Sequence, residues 1–100
     1  MPAVSRKADS LSTGHGCDGT TILATPAQGT VYANGRLVAR ITDKTISHAI
    51  PSGPACVPHT EQVRAGSGTV YTEGLKTARI GDAADGGNMT SGSPNVYAGD

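Results

Sequence analysis

The side chains in this chain best equipped for chemistry are three histidines and two cysteines, at His15, Cys17, His48, Cys56 and His59. Imidazole nitrogen and thiolate sulfur are donors that Zn²⁺ takes four at a time in a tetrahedron. A shell closed in that way stabilises a small fold and leaves no place for a reacting water. The expected ligand set is His15, His48, Cys56 and His59, because Cys56-Val57-Pro58-His59 has the short C-x₂-H spacing that lets two side chains reach one ion. Cys17 is then a buried thiol or the substitute for one of the histidines. A disulfide between Cys17 and Cys56 is the rival use of the sulfurs, and a chain made in the cytoplasm keeps its thiols reduced. Zn²⁺ is the expected ion and iron the second choice, since ligand type only biases the selection.

Five such residues scattered in loops need something to gather them, and an internal repeat supplies it. Gly29 to Asp43 reads GTVYANGRLVARITD and Gly68 to Asp82 reads GTVYTEGLKTARIGD, so a shift of 39 matches nine of fifteen positions without a gap. One supersecondary unit therefore recurs. Arg6-Lys7-Ala8-Asp9 repeats the closing Arg-x-x-Asp, and Asn95-Val96-Tyr97-Ala98-Gly99-Asp100 repeats the opening Val-Tyr and its turn. The chain thus begins in the second half of a unit and finishes in the first half of one. A closed ring of three units follows, with the last Val-Tyr strand paired to the Ala3-Val4-Ser5 strand so that no edge is bare.

Each unit reads as a β-hairpin. Val31-Tyr32 and Leu37 to Ile41 flank Asn34-Gly35, the strongest signal for a type I′ turn. Glu73-Gly74 takes that place between Val70-Tyr71 and Thr77 to Ile80, where Glu predicts a looser turn. Residues 2–9 and Thr20 to Ala24 read as further short strands, with a loop from Ser10 to Cys17 between them. The connections from each Arg-x-x-Asp to the next Val-Tyr span 22, 27 and 14 positions. The first carries His15 and Cys17, the second His48, Cys56 and His59, and the third Gly86-Gly87-Asn88-Met89 with no His or Cys. His15 lies six residues after Asp9 and His48 five after Asp43, so the two occupy near-equivalent places. The Arg-x-x-Asp units (Arg6 and Asp9, Arg40 and Asp43, Arg79 and Asp82) could bind an anion, but their recurrence with the fold's period favours a structural pairing. Tyr32, Tyr71 and Tyr97, one per unit, read as packing residues.

Composition sets the frame. One hundred residues make one domain, without Phe or Trp and with fourteen Gly and six Pro, which predicts an all-β object of short strands around a thin core. Eight acidic and eight basic residues cancel, leaving no electrostatic footprint for nucleic acid. No apolar run approaches the ~18 residues of a membrane span, so stable membrane insertion is not expected. The N-terminus lacks the apolar stretch of a signal peptide, which predicts a protein made in the cytoplasm and carried out, if at all, by another route. No residue is assigned a catalytic role. Nucleophile-elbow, phosphate-loop and metalloprotease signatures are all missing, and Asp18 and Glu61 are the carboxylates nearest the candidate ligands in sequence.

Asn34-Gly35-Arg36-Leu37-Val38-Ala39-Arg40-Ile41-Thr42-Asp43 resembles the repeat of the PAAR proteins, in which an Asn-Gly turn precedes Pro-Ala-Ala-Arg and a hydrophobic-Gly-Asp ending. The copies at Gly74 to Asp82 and Pro2 to Asp9 match more loosely. No copy keeps Pro-Ala-Ala-Arg intact, and the Gly before Asp survives only at Gly81. The resemblance implies a small cone with pseudo-threefold internal repeats, with zinc near its point held by three His and one Cys. It implies a partner as well, the trimeric β-helix of a VgrG-like or phage spike, capped and sharpened at one copy per trimer to aid membrane puncture. The alternatives are an adaptor module that docks effectors onto the spike and, third, a small zinc hydrolase. Residues 1–100 are expected to form a single PAAR-like domain without an extension domain, so that any effector binds non-covalently. The protein would be delivered outside the cell in a secretion spike, or carried in a virion tail.

Overall fold

A turn signal every few residues leaves room only for short strands, and the computed structural model, which describes residues 1–99, contains nothing longer than five residues. Asp100, the end of the third copy, lies outside the described residues. Ten strands pair as five antiparallel hairpins. These are β1 (Ser10–Ser12) with β2 (Thr20–Ile22), β3 (Tyr32–Ala33) with β4 (Arg36–Leu37), β5 (His48–Ser52) with β6 (Ala55–His59), β7 (Tyr71–Thr72) with β8 (Leu75–Lys76), and β9 (Ala83–Ala84) with β10 (Gly87–Asn88). The body measures 42 × 23 × 22 Å, one long axis and two nearly equal short ones. No helix able to cross a membrane occurs among the described residues.

The two Val-Tyr hairpins turn alike. Asn34 and Gly35 have φ of 54° and 77°, and Glu73 and Gly74 have 49° and 82°. The looser turn expected at Glu73 is therefore corrected. Pairing of Thr72 with Leu75 leaves a two-residue loop, and the strand twist accepts such a loop most readily when the central residues have positive φ. The Glu73 carbonyl also accepts a hydrogen bond from Arg40 Nη1 at 3.2 Å, which ties the turn down.

Beyond these turns the chain leaves its hairpin partner sooner than the sequence pattern predicts, because it pairs between units instead. Bridges join Arg6 to Val38, Arg40 to Thr77 and Val4 to Arg79. At the centre the Ser5 N–H donates to the Ala78 carbonyl, the Ala78 N–H to Ala39 and the Ala39 N–H to Ser5, each at 2.9 Å. Three hydrogen bonds thus form a closed cycle about a pseudo-threefold axis. Ser5, Ala39 and Ala78 are all fully buried, and side chains this small let three backbones meet there. The ring closes through the N-terminus as expected. Ala3 bridges Tyr97, the Val4 N–H donates to the Val96 carbonyl at 3.0 Å, and the Ala98 N–H donates to Pro2 at 3.0 Å.

The three Arg-x-x-Asp units share one geometry. In each, a carboxylate oxygen accepts the backbone N–H of its own Arg, at 2.7 Å in Asp9, 2.8 Å in Asp43 and 2.9 Å in Asp82. The guanidinium pairs with the same carboxylate. Its Nη1 reaches the neighbouring unit's turn, donating to Asn34 Oδ1 from Arg6, to the Glu73 carbonyl from Arg40 and to the Gly99 carbonyl from Arg79. These arginines spend their donors inside the fold, clamping one unit to the next.

Two apolar layers fill the interior. Val4, Ala33, Val38 and Ala98 form the smaller, beside the Val-Tyr hairpins. Leu11, Leu23, Ala39, Val63, Ala78, Ala84 and Met89 form the larger. Past that second layer the hairpins of the three connections converge.

Candidate metal centre

Each connection contributes one hairpin, β1–β2, β5–β6 and β9–β10, and the side chains at their ends meet. His15 lies in the loop between β1 and β2, His48 opens β5, His59 closes β6 opposite it in register, and Asp85 sits at the β9–β10 turn. The Nε2 atoms of His15, His48 and His59 lie 3.0, 2.8 and 3.4 Å from Asp85 Oδ2. All four ligand atoms fall within 4.8 Å of one another. The rings of His15 and His48 stack 7° from parallel, and His59 stands edge-on to both.

Glycine makes this convergence possible. Gly14 has φ of 73°, and a Cβ there would stand 2.1 Å from the Gly86 carbonyl oxygen; one on Gly87 would stand 2.2 Å from that of Ser12. The β1–β2 loop and the β9–β10 hairpin are therefore in backbone contact, with the Gly86 N–H donating to the Thr13 carbonyl at 2.8 Å. Asp85 arrives beside His15 for that reason. The same hairpin gives Gly86-Gly87-Asn88-Met89 its role: Asn88 Oδ1 accepts from the Ser12 hydroxyl at 3.0 Å, and Met89 is fully buried against Leu11.

The arrangement suits a cation. His15 Nδ1 lies 2.9 Å from the Gly16 carbonyl and His48 Nδ1 lies 3.0 Å from that of Ile46, so both Nδ1 atoms carry the donated proton. In a neutral ring, Nε2 then presents a lone pair to the Asp85 carboxylate. Like poles face each other unless a positive charge stands among them, supplied by protons on the rings or by a metal ion. Anchoring Nδ1–H on a backbone carbonyl is also how proteins orient histidines that ligate metals. Tetrahedral coordination with bonds of ~2.0–2.1 Å has ligand–ligand edges of roughly 3.3 Å, and the His–Asp separations of 2.8, 3.0 and 3.4 Å lie on either side of that value. The ionisation behaviour agrees. The Gly16 carbonyl raises the His15 pKa most, burial opposes it, and Asp85 adds to the rise. Burial pushes the Asp85 carboxyl up, but the hydrogen bonds from His48, His15 and His59 outweigh it and hold the group below the usual carboxylate range.

The expected ligand set is corrected in one member. His15, His48 and His59 come together, but Cys56 does not join them: it is disulfide-bonded to Cys17, with Cα atoms 6.0 Å apart. In the antiparallel ladder Cys56 faces Pro51, three positions from His59. Neither cysteine is left as a free thiol or as the substitute ligand. Asp85 takes the fourth position instead. No local pattern marks Asp85, because the third connection holds no His or Cys beside it. The signal that could have found it is the symmetry itself, since two connections supplying donors ask for one from the third.

The PAAR motif family model matches residues 17–88, and that span crosses β2 to β10 and includes three of the four converging side chains. The chain belongs to the PAAR-motif family. No curated protein is similar enough to add a named relative. As a PAAR-motif protein it belongs among structural spike-tip proteins of type VI secretion and phage-like machines, which generally sit on VgrG-type spikes. Its His₃Asp cluster is one that could hold a metal ion.

Proposed function

We propose that this PAAR-motif protein caps a trimeric β-helical spike at one copy per trimer, sharpens it and aids membrane puncture as the injection machine contracts, without enzymatic activity. The observation that carries the reading is the closed threefold cycle of Ser5, Ala39 and Ala78, which gives one chain the symmetry of a three-chain spike. Its Val-Tyr hairpins fit the part. Tyr32, Tyr71 and Tyr97 are 58%, 55% and 53% exposed, which corrects their reading as packing residues, and Val31, Val70 and Val96 beside them are also exposed. Three matched apolar pairs on one monomer leave surface that a threefold partner would cover, one pair over each strand of the spike. In this reading residues 1–100 form a single domain that travels out of the cell with the spike.

Zn²⁺ is the ion this reading assigns to His15, His48, His59 and Asp85. Three nitrogens and one oxygen suit it, and four protein donors leave no position for an activated water. The ion would supply charge to the cluster and lock three loops at the point of the cone.

Co-expression with a trimeric β-helical spike protein tests the docking. One chain per trimer, with binding lost when Tyr32, Tyr71 and Tyr97 are changed together to Ser, is the expected result. Failure to associate with any trimeric spike, or a stoichiometry of three per trimer, would overturn it. Plasma mass spectrometry of untagged protein tests the metal. Wild type should carry one zinc per chain, and His59→Ala and Asp85→Ala should each lose most of it; a metal-free wild type would remove the ion from the reading.

A further inference from the structure

The three units are not equivalent on their flanks, and the difference is one of charge. A groove of about 470 Å³ runs between the β3–β4 hairpin and the bend after Arg6, lined by Lys7, Ala8, Tyr32, Gly35, Arg36 and Leu37. The Lys7 N–H donates to the Leu37 carbonyl at 2.8 Å, which fixes the two walls together. The repeat supplies two comparisons within the same chain. The position of Lys7 is held by Ile41 and Ile80 in the other units, and that of Arg36 by Leu75 and Pro2. The fold therefore does not require cations at these places.

We propose that this groove docks an extended acidic segment of a partner protein, an inference that goes beyond the spike-tip reading. Charge complementarity is the argument. Lys7 is exposed and its ammonium has no partner among the described residues. The Arg36 side chain is 42% exposed and spends one N–H on Asp9 at 3.1 Å. Asp9, which accepts that N–H, is buried and shared with Arg6. Two cations with one shared counter-charge leave a local positive excess, while Leu37 offers apolar surface to the methylenes of a Glu side chain. Two cations on a chain of zero net charge are too few for a polyanion, whose binding depends on neutralising many phosphates. They suit a carboxylate pair on a peptide, where complementary charge gives specificity and speeds encounter.

The test is fluorescence anisotropy with a labelled glutamate-rich peptide and a serine-rich control of equal length, using the full chain. Wild type should bind the acidic peptide and not the control, less tightly as salt is raised. The Lys7→Ile/Arg36→Leu variant, which installs residues the other units already carry, should weaken binding by about tenfold or more. Lys76→Ala should bind as wild type does. Should the double variant melt well below wild type, Lys7→Glu puts the same question at an exposed position. No acidic-peptide binding, equal binding by the variants, or equally tight binding of duplex DNA or anionic vesicles that the variants retain, would each overturn the proposal.

Discussion

Three residues hold the same strained place in this fold, and only one is a glycine. Ala8, Thr42 and Gly81 precede the Asp of each Arg-x-x-Asp with φ of 68°, 72° and 90°. A left-handed conformation costs an L-residue roughly 1–2 kcal/mol, most for a β-branched one. The Thr42 side chain is exposed, while its N–H donates to the Val63 carbonyl at 2.8 Å. Thr42→Gly is therefore expected to stabilise by about 1 kcal/mol, raising the calorimetric midpoint by roughly 4–8 °C. An unchanged or lower midpoint would mean that the strain is relieved in some other way. Asp9 makes a second residue-scale case. Burial pushes its carboxyl up, but side-chain and backbone hydrogen bonds from Arg6, its charge and the Ser91 hydroxyl outweigh that and hold it below the ordinary range. A folded pKa below the unfolded value of ~3.9 means the contribution is full above that pH and is lost as pH falls through the lower folded value. Urea midpoints for wild type and Asp9→Asn should accordingly differ most at neutral pH and draw together below about pH 4; a constant gap would show that the variant's loss does not come from the ionised pair. At this scale the sequence was legible where chemistry and spacing coincide. Arg-x-x-Asp gives its geometry away because partners three apart can meet only locally, whereas Asp85 is bound to its histidines across separations of 26 to 70 positions that no local pattern encodes.

At the scale of elements, the point of the cone is made of three hairpins with no sheet to support them. Beyond the cluster, β5 and β6 continue as an exposed two-stranded arm from Pro51 to Pro58, and such an arm alone is marginal in water. The Cys17–Cys56 bond ties the β1–β2 loop to this arm, while His15, His48, His59 and Asp85 tie all three connections together. Covalent and ionic ties thus stand side by side, and they fail under different conditions. Bridging positions 39 apart removes about 4 kcal/mol of loop entropy from the unfolded chain on the loop-closure account, with 2–4 kcal/mol typical. Cys17→Ser/Cys56→Ser should lose stability of about that size in urea unfolding. It should still take up the metal proposed for the cluster, since the proposed donors are the three histidines and Asp85. Loss of metal in that variant would return Cys56 to the ligand set. The pairing was the less favoured use of these thiols from sequence because compartment argued against it. The structure favours it because β6 carries Cys56 on the flank of the hairpin, within bridging distance of the Cys17 loop.

For the molecule as a whole, the repeat was the most legible feature, and it foretold the ring, because the half unit around Ala3 and the half unit around Tyr97 complement each other and do pair. What could not be read was how the units lock. The cycle through Ser5, Ala39 and Ala78 is backbone to backbone, and its only trace in the sequence is three small residues ahead of three arginines. The closure makes its own prediction. Ala3 pairs with Tyr97 and Ala98 with Pro2, so the ends of the described chain lie side by side, and a short Gly-Ser linker could join them without moving a strand. If the ring is the unit of folding, the position of the break should matter little. A circular permutant opened between Asn34 and Gly35, where a Cβ on the glycine would meet nothing within 4 Å, should fold, bind metal like the parent and melt within a few degrees of it. Deleting residues 94–100 should do the opposite. It strips Ala98 from the smaller apolar layer and leaves the Val4 N–H and the Pro2 carbonyl without their partners, a combined loss of several kcal/mol from burial and unpaired backbone groups. Circular dichroism melts of the two proteins decide the matter. A folded permutant beside an unfolded truncation would establish closure as the source of stability, and a permutant that fails while the truncation folds would show that the third unit is ornament on a two-unit core.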